Sequence, residues 1–82
     1  MKVLFFGSLR EQLGTGELSI PLPEGIGTIG QLLANLQTQN DEWKRALGTG
    51  NVLFAVNQDM VDENTAIDDN DEVALFPPVT GG

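Results

Sequence analysis

A chain of 82 residues with no cysteine, no histidine and no tyrosine has few ways to do chemistry. Thiol nucleophiles, disulfides, thiolate or imidazole metal sites and Ser-His-Asp triads are excluded by composition. Ser8 and Ser19 are the only serines, and what remains is carboxylates, the four cations Lys2, Arg10, Lys44 and Arg45, and the chain ends. That inventory is thin for an independent catalyst and suits a substrate or a partner of one. The residues whose order carries a chemical pattern are the closing Phe76-Pro77-Pro78-Val79-Thr80-Gly81-Gly82. Pro77 and Pro78 lack amide donors and hold extended backbone, so they end a sheet ladder and throw the chain off the body. Gly81 and Gly82 carry no Cβ, so the Gly82 carboxylate rides on a thread narrow enough for a tunnel that any side chain would block. Extended from Phe76, the thread spans about 20 Å at roughly 3.3 Å per residue, which reaches into another protein's active site. The competing reading is a frayed chain end. A rigid proline pair directly after a strand-like run weighs against it.

Charge narrows the partners. Twelve acidic residues against four basic ones leave a net charge of -8, a surface that repels nucleic-acid phosphates and anionic lipid and favours basic docking surfaces. The expectation is no nucleic acid and no membrane. Met1 leads straight into a strand-like run without the segments of a signal peptide, and no apolar stretch approaches membrane length, so the expected location is cytoplasmic. Two motifs invite other chemistry. Asp68-Asp69-Asn70-Asp71 suggests calcium but lacks the central glycine and distal glutamate of an EF-hand loop, and reads as a turn. Gly25-Ile26-Gly27-Thr28-Ile29-Gly30 matches a dinucleotide fingerprint, yet Pro21 and Pro23 interrupt the strand before it and the chain cannot build a doubly wound sheet. No metal and no permanently bound cofactor are expected.

The elements that must position the tail are legible in order. Lys2-Val3-Leu4-Phe5-Phe6 is a nearly continuous apolar run ended by Gly7, and reads as a central strand buried on both faces. Ser8 and Glu11 fit a capping box for a short helix stopped by Gly14. Glu17 to Leu22 alternates, with Leu18, Ile20 and Leu22 on one face, and Pro21 confines it to a sheet edge. The first two strands then pair like a hairpin around the short helix. Thr28 and Gln31 form a second capping box, and Ile29, Leu32, Leu33 and Leu36 fall on one face of the main helix. Asp41 to Leu47 adds a shorter helix carrying Trp43, read as a lid on the core in preference to a binding aromatic, and Gly48-Thr49-Gly50 ends it. Val52 to Val56 is a third strand, Asn57-Gln58-Asp59 turns into a brief fourth at Met60-Val61, and Glu72 to Phe76 is the last.

One main helix on a single mixed sheet of four to five strands is an α+β solution for a small core. The first and last strands are the most apolar, and no hairpin can join them, so they are expected side by side and parallel at the sheet centre. This is the β-grasp, or ubiquitin-like, arrangement. The predicted organisation is a β-grasp domain over residues 1–76 and a flexible tail over 77–82.

Lys2-Val3-Leu4-Phe5-Phe6, Ala55-Val56-Asn57-Gln58, and Asp71-Glu72-Val73 leading into the closing heptapeptide together resemble the small, sulfur-carrier subunits of molybdopterin synthases. The resemblance covers essentially the whole chain, and the heptapeptide is its most specific part. Met60 stands where some relatives have leucine, a swap that conserves volume. The resemblance implies a cycle. An α-carboxylate with a pKa of about 3.5 is ionised at neutral pH and a poor electrophile until activated. An adenylating partner related to ubiquitin-activating enzymes uses ATP to convert Gly82 to an acyl-adenylate, sulfur displaces AMP, and the thiocarboxylate enters the large catalytic subunit of a heterotetramer. There the sulfur passes to a cyclic pyranopterin precursor to build the molybdopterin dithiolene. Gly82 carries sulfur, Gly81 gives clearance, and Pro77, Pro78, Val79 and Thr80 position the thread. Phe76, with Phe6 and Met60, would form an apolar docking patch; for Phe6 and Met60 a place in the core is equally open. A sulfur carrier for thiamin or tRNA thiolation, a ubiquitin-like protein modifier, or a non-catalytic interaction module would share the fold.

Overall fold

The computed structural model describes residues 1–48 and 50–77, and its elements run β1 (Lys2–Phe5), α1 (Ser8–Leu13), β2 (Glu17–Ser19), α2 (Ile29–Leu36), α3 (Asp41–Leu47), β3 (Leu53–Val56), β4 (Asp59–Val61) and β5 (Glu72–Phe76). Among the described residues the strands form one five-stranded sheet in the order β2-β1-β5-β3-β4. β1 and β5 are the parallel pair, in the register Val3 to Val73 and Phe5 to Leu75, and the other neighbours are antiparallel. The expected β-grasp arrangement is therefore present, with its central parallel pair. The predicted tail beyond Pro77 lies outside the described residues.

Side chains from alternate strand positions meet three helices on one face of the sheet. Val3, Phe5, Val73 and Leu75 are buried against Leu9 and Leu13 of α1, Ile29, Leu32 and Leu36 of α2, and Ala46 and Leu47 of α3. At about 1.5 to 3 kcal/mol for each fully buried large apolar side chain, this cluster supplies the main burial term. α2 begins as its sequence dictates: Thr28 Oγ1 accepts from the Gln31 N–H at 3.3 Å, and Gln31 Oε1 accepts from the Thr28 and Gly27 N–H groups at 3.2 and 2.7 Å. Within the glycine-rich stretch, the Gly27 and Thr28 amides are thus engaged in capping a helix, while those of Ile29 and Gly30 donate to the Thr65 and Glu63 carbonyls. Trp43 meets Phe5 edge-on, with ring centroids 5.6 Å apart, so it does act as a lid on the core.

Three expectations need correction. Ser8 lies inside α1 and makes no cap bond; Gly7 holds the cap position at φ 58°, and its carbonyl accepts the Arg10 N–H at 3.2 Å. The sharp turn out of β1 requires a left-handed residue, which favours glycine over serine. β2 stops at Ser19 instead of running to Leu22, because Pro21 has no amide to continue the ladder; the Ile20 N–H still bonds the Met1 carbonyl at 3.0 Å. β1 is buried on one face only: Val3 and Phe5 are inside, while Leu4 is half-buried and Phe6 exposed. The helices all pack on the other side, so the second apolar face is left open.

The hairpin between β3 and β4 turns on Asn57 and Gln58, with φ 50° and 74°, and Asp59 already belongs to β4. Two consecutive left-handed residues are the mark of a tight turn whose twist matches the strands it joins. Asp68 to Asp71 is a turn as expected. The Asp71 N–H donates to the Asp68 carbonyl at 3.1 Å, and Asp71 oxygens accept from Asp68 N–H at 2.8 Å and Asn57 Nδ2 at 2.9 Å. No helix among the described residues is long and apolar enough to cross a membrane.

Candidate functional site

Strand register places two apolar rows on the open face. Leu4, Ala74, Ala55 and Met60 are successive partners across β1, β5, β3 and β4, and Phe76 pairs with Leu53 in the next row. Phe6, one residue past β1, stacks nearly parallel on Phe76 with centroids 4.9 Å apart and an interplanar angle of 10°. The second row is thus Phe6, Phe76 and Leu53. Exposure is high for Phe6 (43%), Leu53 (39%) and Met60 (61%), while Ala55 is 3% exposed beneath its neighbours. On the far side the face ends in polar residues, Ser19, Lys2 and Glu72 in register, with Lys2 Nζ 3.9 Å from a Glu17 carboxylate oxygen. An apolar centre with a polar rim is the anatomy of a protein docking surface.

The open alternative for Phe6 and Met60 is resolved by this geometry: both are on the surface and outside the core. Phe76 is half-buried, held by its stack on Phe6. Sequence reasoning missed Leu53 and the small floor made by Ala55 and Ala74. It named Val52 to Val56 as a strand without separating its two faces, and alternation within the strand puts Leu53 and Ala55 opposite Phe54 and Val56. The available signal was the pairing with the last strand, which aligns Leu53 with the residue beside the proline pair.

The tail leaves from the end of this face. Pro77 follows Phe76 directly, and a Cβ placed on Gly7 would stand 2.9 Å from Pro77 Cγ, so the ring seats against bare backbone. Phe76 and Pro77 are therefore anchored on Phe6 and Gly7. Pro78, Val79, Thr80, Gly81 and Gly82, predicted to carry and position the reactive carboxylate, lie outside the described residues.

Among the described residues no group of three or more His, Cys, Asp or Glu side chains is arranged to hold a metal. The Asp69 carboxyl is held below the usual carboxylate range by the Leu22 N–H donating to it at 2.7 Å, then by the Met1 ammonium 3.6 Å away. It ties the β2 end to the turn before β5, remote from the apolar rows. What the arrangement offers is recognition: an apolar face with Phe76 and Pro77 at its edge.

A model of the ThiS family matches residues 3–82. Over 84 residues the chain is 44% identical to the molybdopterin synthase sulfur carrier subunit of Escherichia coli K12, covering all of this chain and 99% of that protein. It is 38% identical to the protein of the same name in Haemophilus influenzae, with the same coverage. Among solved structures, the small archaeal modifier protein 1 of Haloferax volcanii superposes with a TM-score of 0.77 at 26% identity, over 96% of this chain and 97% of that one. A complex of subunits 1 and 2 of the molybdopterin-converting factor from Helicobacter pylori matches with a TM-score of 0.65 at 29% identity, over 99% of this chain and 96% of that chain.

Proposed function

The chain belongs to the ThiS family, and from that premise we propose that it is the sulfur carrier subunit of a molybdopterin synthase. The observation that carries the reading is the uncovered apolar face whose stacked pair, Phe6 and Phe76, sits at the root of a tail ending in Gly81-Gly82. A large catalytic subunit seats on Phe6, Leu53, Met60 and Phe76, and seating aims the tail into its active site. The assembly is a heterotetramer acting in the cytoplasm.

Chemistry is confined to Gly82. Its carboxylate oxygen attacks the α-phosphorus of ATP in an adenylating partner, pyrophosphate leaves, and an acyl-adenylate forms. A hydrosulfide equivalent adds to the carbonyl carbon, the C–O bond to AMP breaks so that AMP leaves, and a thiocarboxylate remains. In the large subunit that sulfur attacks a carbon of a cyclic pyranopterin precursor and displaces an oxygen leaving group from it; water hydrolyses the resulting thioester, which leaves the sulfur on the pterin and returns the carboxylate, and a second loaded carrier supplies the second sulfur of the dithiolene. Each conversion needs its acyl carbon placed by a protein the carrier does not contain. Gly81 gives clearance, and Pro77 to Thr80 limit the paths the thread takes, which lowers the entropy cost of presenting it.

Reconstitution tests this. Chain carrying a C-terminal thiocarboxylate, mixed with the large subunit and precursor, is expected to form the dithiolene, and chain lacking Gly82 is expected to form none. Product formed equally well by the truncated chain would refute it. A protein-modifier role is favoured only by the likeness to the archaeal modifier. Tagged chain recovered from cells in covalent conjugates that survive denaturation would support that role instead.

A further inference from the structure

Among the described residues Arg10 is a cation without a partner. It lies on the exposed side of α1, and among the described residues it makes no ion pair or side-chain hydrogen bond, although the chain has twelve acidic residues. Glu17 lines the same cleft but faces Lys2, and Glu11, its sequence neighbour, makes no ion pair with it. The guanidinium is nevertheless held in a defined place. A Cβ on Gly16 would stand 2.9 Å from Arg10 Nε and 3.1 Å from Cζ, so the side chain lies along bare backbone. Gly16 has no positive φ that would itself demand glycine. The room it leaves is occupied by the arginine. The resulting shallow cleft is lined by Arg10, Thr15, Gly16 and Glu17 together with Leu4, Phe5 and Phe6, so Arg10 shares a cleft with the residue that stacks on Phe76.

We infer that Arg10 receives a carboxylate of the large subunit at the rim of the docking face, beside the root of the tail; this rests on the proposed sulfur-carrier function. Three features point to a carboxylate on a protein. An arginine presents a planar fork that matches a carboxylate in two parallel hydrogen bonds. A partner seated on Phe6 and Phe76 excludes water from one side of the guanidinium, which strengthens the pair relative to an open surface. The rest of the surface is acidic and calls for a basic partner, so one cation against one acid, in otherwise reversed charge, fixes the rotational register of docking. A rotated complex would bring this guanidinium against the partner's basic surface. Because Arg10 flanks the tail root, register here sets where the thread enters.

The test is calorimetric titration of the large subunit with wild type, Arg10→Ala, Arg10→Lys, Arg10→Glu and, as reference, Phe76→Ala, with unfolding midpoints for each. Arg10→Ala is expected to weaken binding about tenfold, Arg10→Glu by more, and Arg10→Lys by less, all with midpoints near wild type. Wild-type affinity in Arg10→Ala and Arg10→Glu, with Phe76→Ala weakened, would overturn the Arg10 assignment and leave the sulfur-carrier reading standing. Normal binding in Arg10→Glu with slowed thiocarboxylate formation would move the contact to the adenylating enzyme and equally overturn it. Wild-type chain that does not bind the large subunit at all would remove both.

Discussion

Phe76→Ala separates docking from folding, because Phe76 lies between the core and the tail. Its neighbour Leu75 is fully buried, so Leu75→Ala is expected to cost about 2 to 5 kcal/mol of stability, as core truncations do. Phe76 points the other way. It is half-buried and stacks parallel on Phe6, with centroids 4.9 Å apart. Losing that stack costs about 0.5 to 1.5 kcal/mol beyond the area lost, so destabilisation of about 1 to 2 kcal/mol is expected. In a complex, a central aromatic anchor carries about 2 kcal/mol or more, which corresponds to a roughly thirtyfold weaker Kd. The assay pairs a denaturant midpoint with a calorimetric affinity for the large subunit on the same preparations. Binding loss larger than stability loss supports the docking face. A stability loss as large as that of Leu75→Ala with unchanged affinity would place Phe76 in the core and refute the argument.

Three further outcomes follow from the same structure. Met60→Asp should leave the unfolding midpoint nearly unchanged, since the side chain is 61% exposed, but should weaken docking markedly by setting a charge in an apolar row; equal affinity in a pull-down titration would remove Met60 from the interface. One residue added after Gly82, or Gly81→Val, should abolish sulfur carriage with folding intact, because the reactive carbon moves by about 3.3 Å and misplacements of about 1 Å can cost roughly a hundredfold; adenylation and sulfur transfer, assayed separately, identify which tunnel is limiting. Asp69 has a lowered carboxyl pKa in the fold, so its contribution is present above the ordinary carboxylate range and lost as pH falls through the lowered value. Wild type should therefore exceed Asp69→Ala in stability at neutral pH, and the two midpoints should converge in acid; a constant difference across that range would contradict the assignment.

Local signals recovered what local physics decides. The Thr28 and Gln31 pair marked the start of α2, Pro21 marked an edge strand, and two apolar runs too far apart for a hairpin marked the parallel centre. Errors fell where a residue's fate depends on what covers it. The first strand reads as buried on both faces, and Phe6 stays open between core and docking patch, because apolarity alone does not distinguish a face packed by helices from one kept for a partner. Leu53 went unnoticed for the same reason, since only strand register brings it beside Phe76. Ser8 was assigned the cap because its side chain suits one, while the turn geometry after β1 gave that place to Gly7. That Arg10 has no partner among the described residues could not be recognised from composition, because whether a cation is paired depends on acids brought near by the fold.

The central claim is that the chain exists to carry sulfur on its last carbon. Intact mass measurement of the protein purified from cells that make the molybdenum cofactor tests it most directly, with fragmentation to locate any change. The account predicts a population in which sulfur replaces one terminal oxygen at Gly82, and its disappearance when the adenylating partner is deleted. A carboxylate terminus alone, in cells actively making the cofactor and with thiocarboxylates preserved during isolation, would contradict it.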